Sequence, residues 1–419
     1  MQKSLDRKLA AIHADPSGAK DFILADAKDA DMAFGIGSPG RSPEMHAGEG
    51  RIRTLAEYRD AIRQVARQGL VDIMLMSASS NELLTIREGL FENSHVTPAA
   101  RANDASDIFA VRHGRYIAEP SQPFRTALLD HIQCGHVDCE PGERARGANL
   151  GLYSVTFNNR LEDDLVALEA YRAFREEAER KGFRHFLEVF DPNAPQGLAA
   201  DATPHYVNDC IARTLAGVAA SGRPVFLKIV YHGPRAMEEL VSYDPHLIVG
   251  ILGGGAGTTY DAFKLLAEAR KYGARAALFG RKINNAECQL AFVELLRRIV
   301  EDEVTPEEAV RAYHGVLQKL NIRPQRSLAD DMQLQSGVMS YGGGSTVSVP
   351  ADMPPANTST SAASHAKPFC PCGGTRLEEC RCHDRDRQTA PCEKPDFASM
   401  TRAEKLAYNK AKRDRVFGK

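Results

Sequence analysis

Residues 224–280 read PVFLKIVYHGPRAMEELVSYDPHLIVGILGGGAGTTYDAFKLLAEARKYGARAALFG. Three short apolar runs, 224–231, 247–255 and 276–280, punctuate this stretch, and a charged run of helical period, 260–273, separates the last two. Apolar runs this short, ending in glycine and joined by amphipathic helices, are the pattern of a parallel sheet buried on both faces. The same alternation extends upstream. Strand candidates precede it at 21–27, 71–77, 95–104, 148–157 and 185–191, and helical runs at 54–69, 161–181 and 203–221; a further helical run follows at 286–300. Eight strands with helical crossovers in about 260 residues match an α/β fold of the (β/α)8 barrel type in both count and length. A doubly wound open sheet is the alternative, but it requires no eighth strand. The segment 105–146 is irregular and reads as a long loop on the third βα connection.

The whole chain has 419 residues, 43% hydrophobic, with 53 basic against 55 acidic side chains and a formal charge of −2. That balance gives no electrostatic case for nucleic acid or an anionic membrane. The longest uncharged apolar runs, such as Leu247 to Leu252, fall far short of the ~20 residues that span a bilayer. The first residues, MQKSLDRKLAAIHADPSG, carry charges throughout and do not read as a secretory signal. A soluble cytoplasmic protein, forming a homo-oligomer, is the expectation. Composition shifts near residue 335, where QSGVMSYGGGSTVSVPADMPPANTSTSAASHAK is rich in Gly, Ser, Thr, Ala and Pro. The expected organisation is therefore a barrel over 1–330, a flexible linker over 331–367 and a Cys-rich tail over 368–419.

Within the sixth strand candidate, Lys228 interrupts an apolar run. With a period of two, Phe226, Lys228 and Val230 share one face, and Val225, Leu227 and Ile229 share the other. The helices outside require the continuous apolar face, so Lys228 points into the barrel toward its C-terminal mouth. Desolvation disfavours an ammonium there and favours the neutral amine that attacks a carbonyl. The simpler alternative is a buried ion pair, with Glu188 of HFLEVFD as the partner. The seventh and eighth strands run into Gly253-Gly254-Gly255 and Gly280-Arg281. Glycines let backbone N–H groups approach a phosphate, a helix N-terminus favours its charge, and these two loops are the usual phosphate site of this barrel.

The segment GILGGGAGTTYDAFKLLAEARKYGARAALFGRKI resembles the terminal part of class I aldolases of the deoxyribose-phosphate, tagatose-bisphosphate and bacterial fructose-bisphosphate group. FLKIVY resembles their sixth strand and FILADAKDADMAFGI their first, so that the resemblance spans roughly residues 20–300. It implies that Lys228 is the Schiff-base lysine and that Asp26 handles protons or substrate hydroxyls. It further implies that Glu188 stands where some members keep a glutamate, and that Tyr153 matches the tyrosine acid/base of others. The seventh strand lacks the second lysine of deoxyribose-phosphate aldolases, which points away from deoxyribose phosphate. Asp26 has the alternative of capping a turn, and Tyr153 that of a core aromatic. The strand-three end, Arg101-Ala-Asn103-Asp104, offers polar groups without an assigned role.

Five of the nine cysteines crowd near the C-terminus. The pairs Cys370/Cys372 and Cys380/Cys382 resemble the small SEC-C zinc motif and are read as a structural zinc site, in which His383 can replace one of the second pair. No cofactor is expected for catalysis. The basic run after Thr401, with Glu404 completing a capping box, is expected as a solvated terminal helix, and the tail as a place for a protein partner. Cys134-Gly-His136-Val-Asp-Cys139 has ligand-like spacing but no second matching pair, and is read as loop chemistry. His232-Gly-Pro234 is read as shaping the sixth loop. The functional expectation is a lysine-dependent aldolase-like lyase acting on a phosphorylated sugar or keto compound. A catalytically idle barrel serving as sugar-phosphate sensor or scaffold, with the tail docking a partner, is the alternative. A phosphate-binding isomerase barrel without an imine is the third.

Overall fold

The computed structural model describes residues 1–40, 51–254, 257–335 and Thr401. Eight parallel strands close into a barrel: β1 (Ile23–Lys28), β2 (Ile73–Met76), β3 (Thr97–Arg101), β4 (Leu150–Thr156), β5 (Arg184–Phe190), β6 (Leu227–Ile229), β7 (Val249–Leu252) and β8 (Ala276–Phe279). Each pairs with its sequence neighbours, and β1 also pairs with β8, Ile23 opposite Ala276 through Asp26 opposite Phe279. That closing pair excludes the open sheet and makes the fold a (β/α)8 barrel.

Burial sorts the strand residues into two sets. Ile23, Ala25, Ile73, Leu75, Ala99, Leu150, Leu152, Phe186, Phe226, Ile248, Ala276 and Leu278 form the interior cluster. Their sequence neighbours Leu24, Met74, Ala100, Tyr153, Leu187, Leu227, Val249 and Ala277 belong to a larger cluster shared with the helices. The period of two thus gives every strand one barrel-facing and one helix-facing row.

The outer layer is formed chiefly by α2 (Leu55–Gln68), α3 (Leu161–Arg180), α4 (Thr203–Ala216), α5 (Pro234–Tyr243), α6 (Thr259–Lys271) and α7 (Gln289–Val300), with α8 (Pro306–Lys319) beside α6 and α7. In α2, Thr54 and Glu57 form a capping box, and Gly69 ends the helix at φ +72°. Its buried Tyr58, Ile62, Val65 and Ala66 follow helical spacing. Sequence reading missed α5, α8 and α1 (Ser4–Ala14). The last buries Leu5, Leu9 and Ile12 in the interior cluster and so plugs the N-terminal end of the barrel. None of the described helices is long and apolar enough to cross a membrane.

The third connection is less bare than expected. The strand anticipated over 95–104 stops at Arg101, and Asp104–Ala105 pairs antiparallel with Pro123–Phe124 instead. Asn103 explains the break: its side-chain amide donates to Ser154 O (2.9 Å) and its carbonyl accepts from Ser154 N (2.7 Å), a side chain continuing the β3–β4 ladder. A short helix, Leu129–Gln133, precedes β4.

The chain divides into compact units over 1–357 and 358–419. Contacts of the first run past residue 330, since Thr259 N donates to Asp331 Oδ1 (2.7 Å) and Thr258 Oγ1 to the Gln333 carbonyl (2.8 Å). Most of the expected linker, the expected zinc ligands Cys370, Cys372, Cys380 and Cys382, and all of the basic run but Thr401 lie outside the described residues.

Candidate active site

Barrel-facing positions near the C-terminal ends of four adjacent strands hold polar side chains: Arg101 on β3, Ser154 on β4, Glu188 on β5 and Lys228 on β6. Ser154 lies opposite Glu188, and Glu188 opposite Lys228, so register alone sets the last three in a row. Lys228 Nζ is ion-paired with Glu188 Oε1. The other carboxylate oxygen of Glu188 accepts from Ser154 Oγ (2.7 Å) and Arg101 (3.4 Å). Arg101 also donates to Ser154 Oγ (2.9 Å) and, through Nε, to Asp29 Oδ2 just beyond β1 (2.6 Å). All five groups are buried.

Two cations and two anions thus balance in a small volume. Burial works against the Arg101 guanidinium, but Asp29 and Glu188 more than offset it and raise its pKa. Arg101 and Ser154 hold one oxygen of Glu188 and leave the other to the lysine. Transfer of a proton from Lys228 to Glu188 would convert the ion pair to a neutral pair without changing the net charge.

The network opens into a cavity of about 100 Å³ whose lining joins Asp29, Arg101, Glu188 and Lys228 to Gly253, Gly254, Gly280 and Arg281. The two expected regions therefore share one space; Gly255 lies outside the described residues. A Cβ on Gly253 would fall 2.1 Å from the Phe279 ring, and one on Gly280 2.7 Å from the Ala27 carbonyl oxygen. Close approach of neighbouring strand ends is thus reason enough for both glycines. Arg281 stacks over Phe34, 5.4 Å from the ring centroid. The start of α6 differs from expectation, because Thr258 N donates to Asp261 (2.7 Å) and Thr259 N to Asp331. These amides serve the chain's own carboxylates. Lys282, between the two loops, donates to the Gly257 carbonyl (2.6 Å), and burial, with Arg326 beside it, lowers its pKa to about 8.

Asp26 and Tyr153 are not brought to Lys228. On β1 the barrel-facing residues are Ile23, Ala25 and Ala27, so Asp26 shares the outer face with Leu24 and Lys28. Its carboxylate lies 3.3 Å from Lys28 Nζ, which donates to Gln289 of α7 (3.0 Å). Tyr153 likewise faces outward, its ring 4.4 Å from Phe174 and 5.1 Å from Tyr171 of α3, and burial pushes its phenol well above the ordinary value. It is a core aromatic. Asp29, which sequence reading missed, is the β1-end carboxylate that reaches the cavity, and Arg101 acquires a definite place. His232 Nε2 meets Asp191 Oδ1 at 2.8 Å, joining the loops after β6 and β5.

No protein-family model matches the chain, and neither does any curated protein. Solved structures that resemble it include an archaeal fructose 1,6-bisphosphate aldolase, 13% identical over 70% of this chain and 99% of that one, with a TM-score of 0.48. A Corynebacterium glutamicum protein matches at 15% identity over 73% and 99% of the two chains, TM-score 0.45. N-acetylneuraminate lyase from Fusobacterium nucleatum matches at 11% identity over 72% and 82%, TM-score 0.35. Likeness at this level carries no argument about residues, and the reading of the site rests on its own geometry.

Proposed function

We propose that the protein is a class I aldolase-like lyase that cleaves or forms a carbon–carbon bond through a Schiff base on Lys228, acting on a phosphorylated sugar or keto compound. The observation that carries this reading is the Lys228–Glu188 pair at the edge of the cavity, where the amine has one acidic partner and open space. In this mechanism Glu188 accepts the lysine proton and the freed amine attacks the substrate carbonyl. Loss of water gives the iminium ion, which draws the electrons of the adjacent C–C bond as a base removes the hydroxyl proton. The enamine left behind is then protonated, and hydrolysis returns ketone and lysine. Glu188 is positioned for the proton steps at the lysine nitrogen; Asp29 is the second carboxylate in the cavity. Gly253, Gly254, Gly280 and Arg281 would hold the phosphate, whose remote binding energy orients the carbonyl.

The test is borohydride reduction of the full-length chain in the presence of a small ketose phosphate, followed by intact-mass and peptide mapping. A reduced adduct on Lys228 is expected. An adduct on Lys282, the half-buried lysine next to Arg281, or no adduct with any of a broad carbonyl panel, overturns the assignment. The latter result would favour the sensor or scaffold role.

A further inference from the structure

The third connection holds a cluster that the proposed chemistry does not use. Cys134 and Cys139 are both buried, and their sulfurs and a carboxylate oxygen of Glu143 all lie within 4.8 Å of one another. A tetrahedral zinc ion with ~2.3 Å bonds to sulfur separates its sulfur ligands by roughly 3.8 Å, so a shift of an ångström or less would seat one here. The fold thus supplies what the local sequence lacks, a further donor next to the cysteine pair.

The loop is built to bring these groups together. Gly135 at φ +90° and Asp138 at φ +57° both adopt the left-handed conformation and turn the chain back on itself. Asp130, at the start of the loop, anchors it. Its carbonyl accepts from Cys134 N (2.8 Å), its carboxylate accepts from Asp138 N (3.2 Å), and Lys181 pairs with the same carboxylate. Glu143 is held in turn, its carboxylate accepting from Glu140 N and pairing with Arg146 at 3.2 Å.

His136 completes the set. Its Nδ1 lies 2.8 Å from the Val137 carbonyl, a contact that a protonated Nδ1 makes as donor, so that a metal would take the place of the proton that Nε2 shares with Glu143. That Nε2 stands 3.3 Å from the Glu143 carboxylate, on a half-exposed side chain able to swing toward the sulfurs. Two thiolates, one carboxylate and a neutral imidazole around a dication leave one negative charge, which Arg146 faces. Cysteine and histidine donors in a tetrahedral set select zinc over the oxygen-preferring cations.

We propose that Cys134, His136, Cys139 and Glu143 form a structural zinc site that clamps the loop leading into β4. Clamping would be useful there, since β4 carries Ser154 to Glu188. The tail cysteines are expected metal ligands too, so the test uses the full chain with Cys370, Cys372, Cys380 and Cys382 all changed to serine. Purified under reducing conditions and titrated with zinc alone, it should bind one ion per chain. Cobalt substitution should give a thiolate charge-transfer band. Cys139→Ser in that background should abolish binding. His136→Ala and Glu143→Gln, on partly exposed side chains, should each weaken it about tenfold or more without lowering the melting temperature of the metal-free protein. Absence of zinc from the four-serine variant, its retention after Cys139→Ser, or a Cys134–Cys139 disulfide in place of metal would each overturn the site.

Discussion

The two ends of the barrel both bury charge, but they leave it in different states. At the N-terminal end Asp72 Oδ2 accepts from Lys8 (2.8 Å), Arg297 (2.7 Å) and the Leu24 N–H (2.9 Å). Lys8 also donates to the Phe22 carbonyl (2.8 Å), and Arg297 to the Leu70 and Phe22 carbonyls. Burial pushes the Asp72 carboxyl up, but Arg297, Lys8 and the backbone amide outweigh it and hold its pKa below the ordinary value. This cluster tethers α1 and α7 to the strand entrances, with its charges committed to carbonyls and to each other. At the C-terminal end Lys228 has Glu188 alone among the described hydrogen bonds and ion pairs, and borders a cavity. Burial of a charge is therefore a poor sign of chemistry. Spare bonding capacity facing an open space is a better one.

Substitution at each end should separate the two roles. The largest effect is expected from Lys228→Met, which should abolish the borohydride adduct altogether while the melting temperature stays near that of the parent. Glu188 keeps Arg101 and Ser154 in that variant, so its charge is not stranded. A residual adduct in the intact mass would show that the two ends differ less than their geometry implies. Asp72→Asn should do the reverse. Removing one member of a buried ionic set costs about 3–5 kcal/mol, because Lys8 and Arg297 would remain buried without their anion. Urea unfolding should show that loss at neutral pH, and imine formation per folded molecule should be unchanged. The stability Asp72 contributes is present above its unfolded pKa of about 4 and is lost as pH falls through its depressed folded value, so the gap between variant and parent should close in acid.

The sequence made some of this legible for physical reasons that can be named. Lys228 and Glu188 each interrupt an apolar strand, and a lone charge in such a strand has only the barrel interior to enter. Arg101 carries the same signal within β3, where TPAAR is otherwise free of charge. Asp26 was misplaced because FILADA is apolar on both alternations. Nothing in its pattern tells which row faces the barrel, and that is settled only by pairing with β2 and β8. Tyr153 sits in LGLYSVT with the same ambiguity, resolved by Phe174 and Tyr171 on α3. Asp29 lies beyond the strand, where no period applies. Glu143 becomes a neighbour of the cysteine pair in a loop with two left-handed residues, a local geometry that spacing does not encode.

A third buried pair sharpens the contrast, because it is neither sealed nor open. Asp26 is fully buried, and neither of its carboxylate oxygens has a hydrogen-bond partner among the described residues; Lys28 lies at ion-pair distance only. Burial first, with Lys28 opposing it, leaves the Asp26 pKa raised to about 6. The folded state therefore holds its proton more tightly than the unfolded chain. Its contribution is present below the unfolded value near 4 and is lost as pH rises through about 6. Asp26→Asn should accordingly gain stability relative to the parent between pH 4 and pH 7, by at most about 3 kcal/mol. Lys28, whose pKa burial already lowers, loses its anion in that variant, and this cost opposes the gain. Denaturant unfolding at the two pH values would decide it, and a difference that moves in the parent's favour as pH rises would mean that the pair is as well satisfied as Asp72.

The smallest effect is expected at Arg281, and it tests whether the C-terminal end is a site for an anion or only for a carbonyl. Arg281 lines the same cavity as Lys228, and its guanidinium stacks on Phe34. Gly253 and Gly280 have a structural reason to be glycine, and the first amides of α6 are taken by Asp261 and Asp331. The side chain, rather than the helix N-terminus, must then supply most of any attraction for phosphate. A charge-assisted hydrogen bond to phosphate contributes about 1.5–3 kcal/mol, and stacking on Phe34 keeps the guanidinium positioned in the absence of ligand. Arg281→Ala should weaken binding of a ketose phosphate by about tenfold or more, and binding of the same ketose without phosphate by much less. Arg281→Lys should recover part of the loss, since it keeps the charge but not the fork or the planar stack. Calorimetric titration of both ligands against the parent and the two variants measures the difference directly. Equal loss for both ligands would place Arg281 with Asp72, as a charge that holds the barrel together and binds nothing.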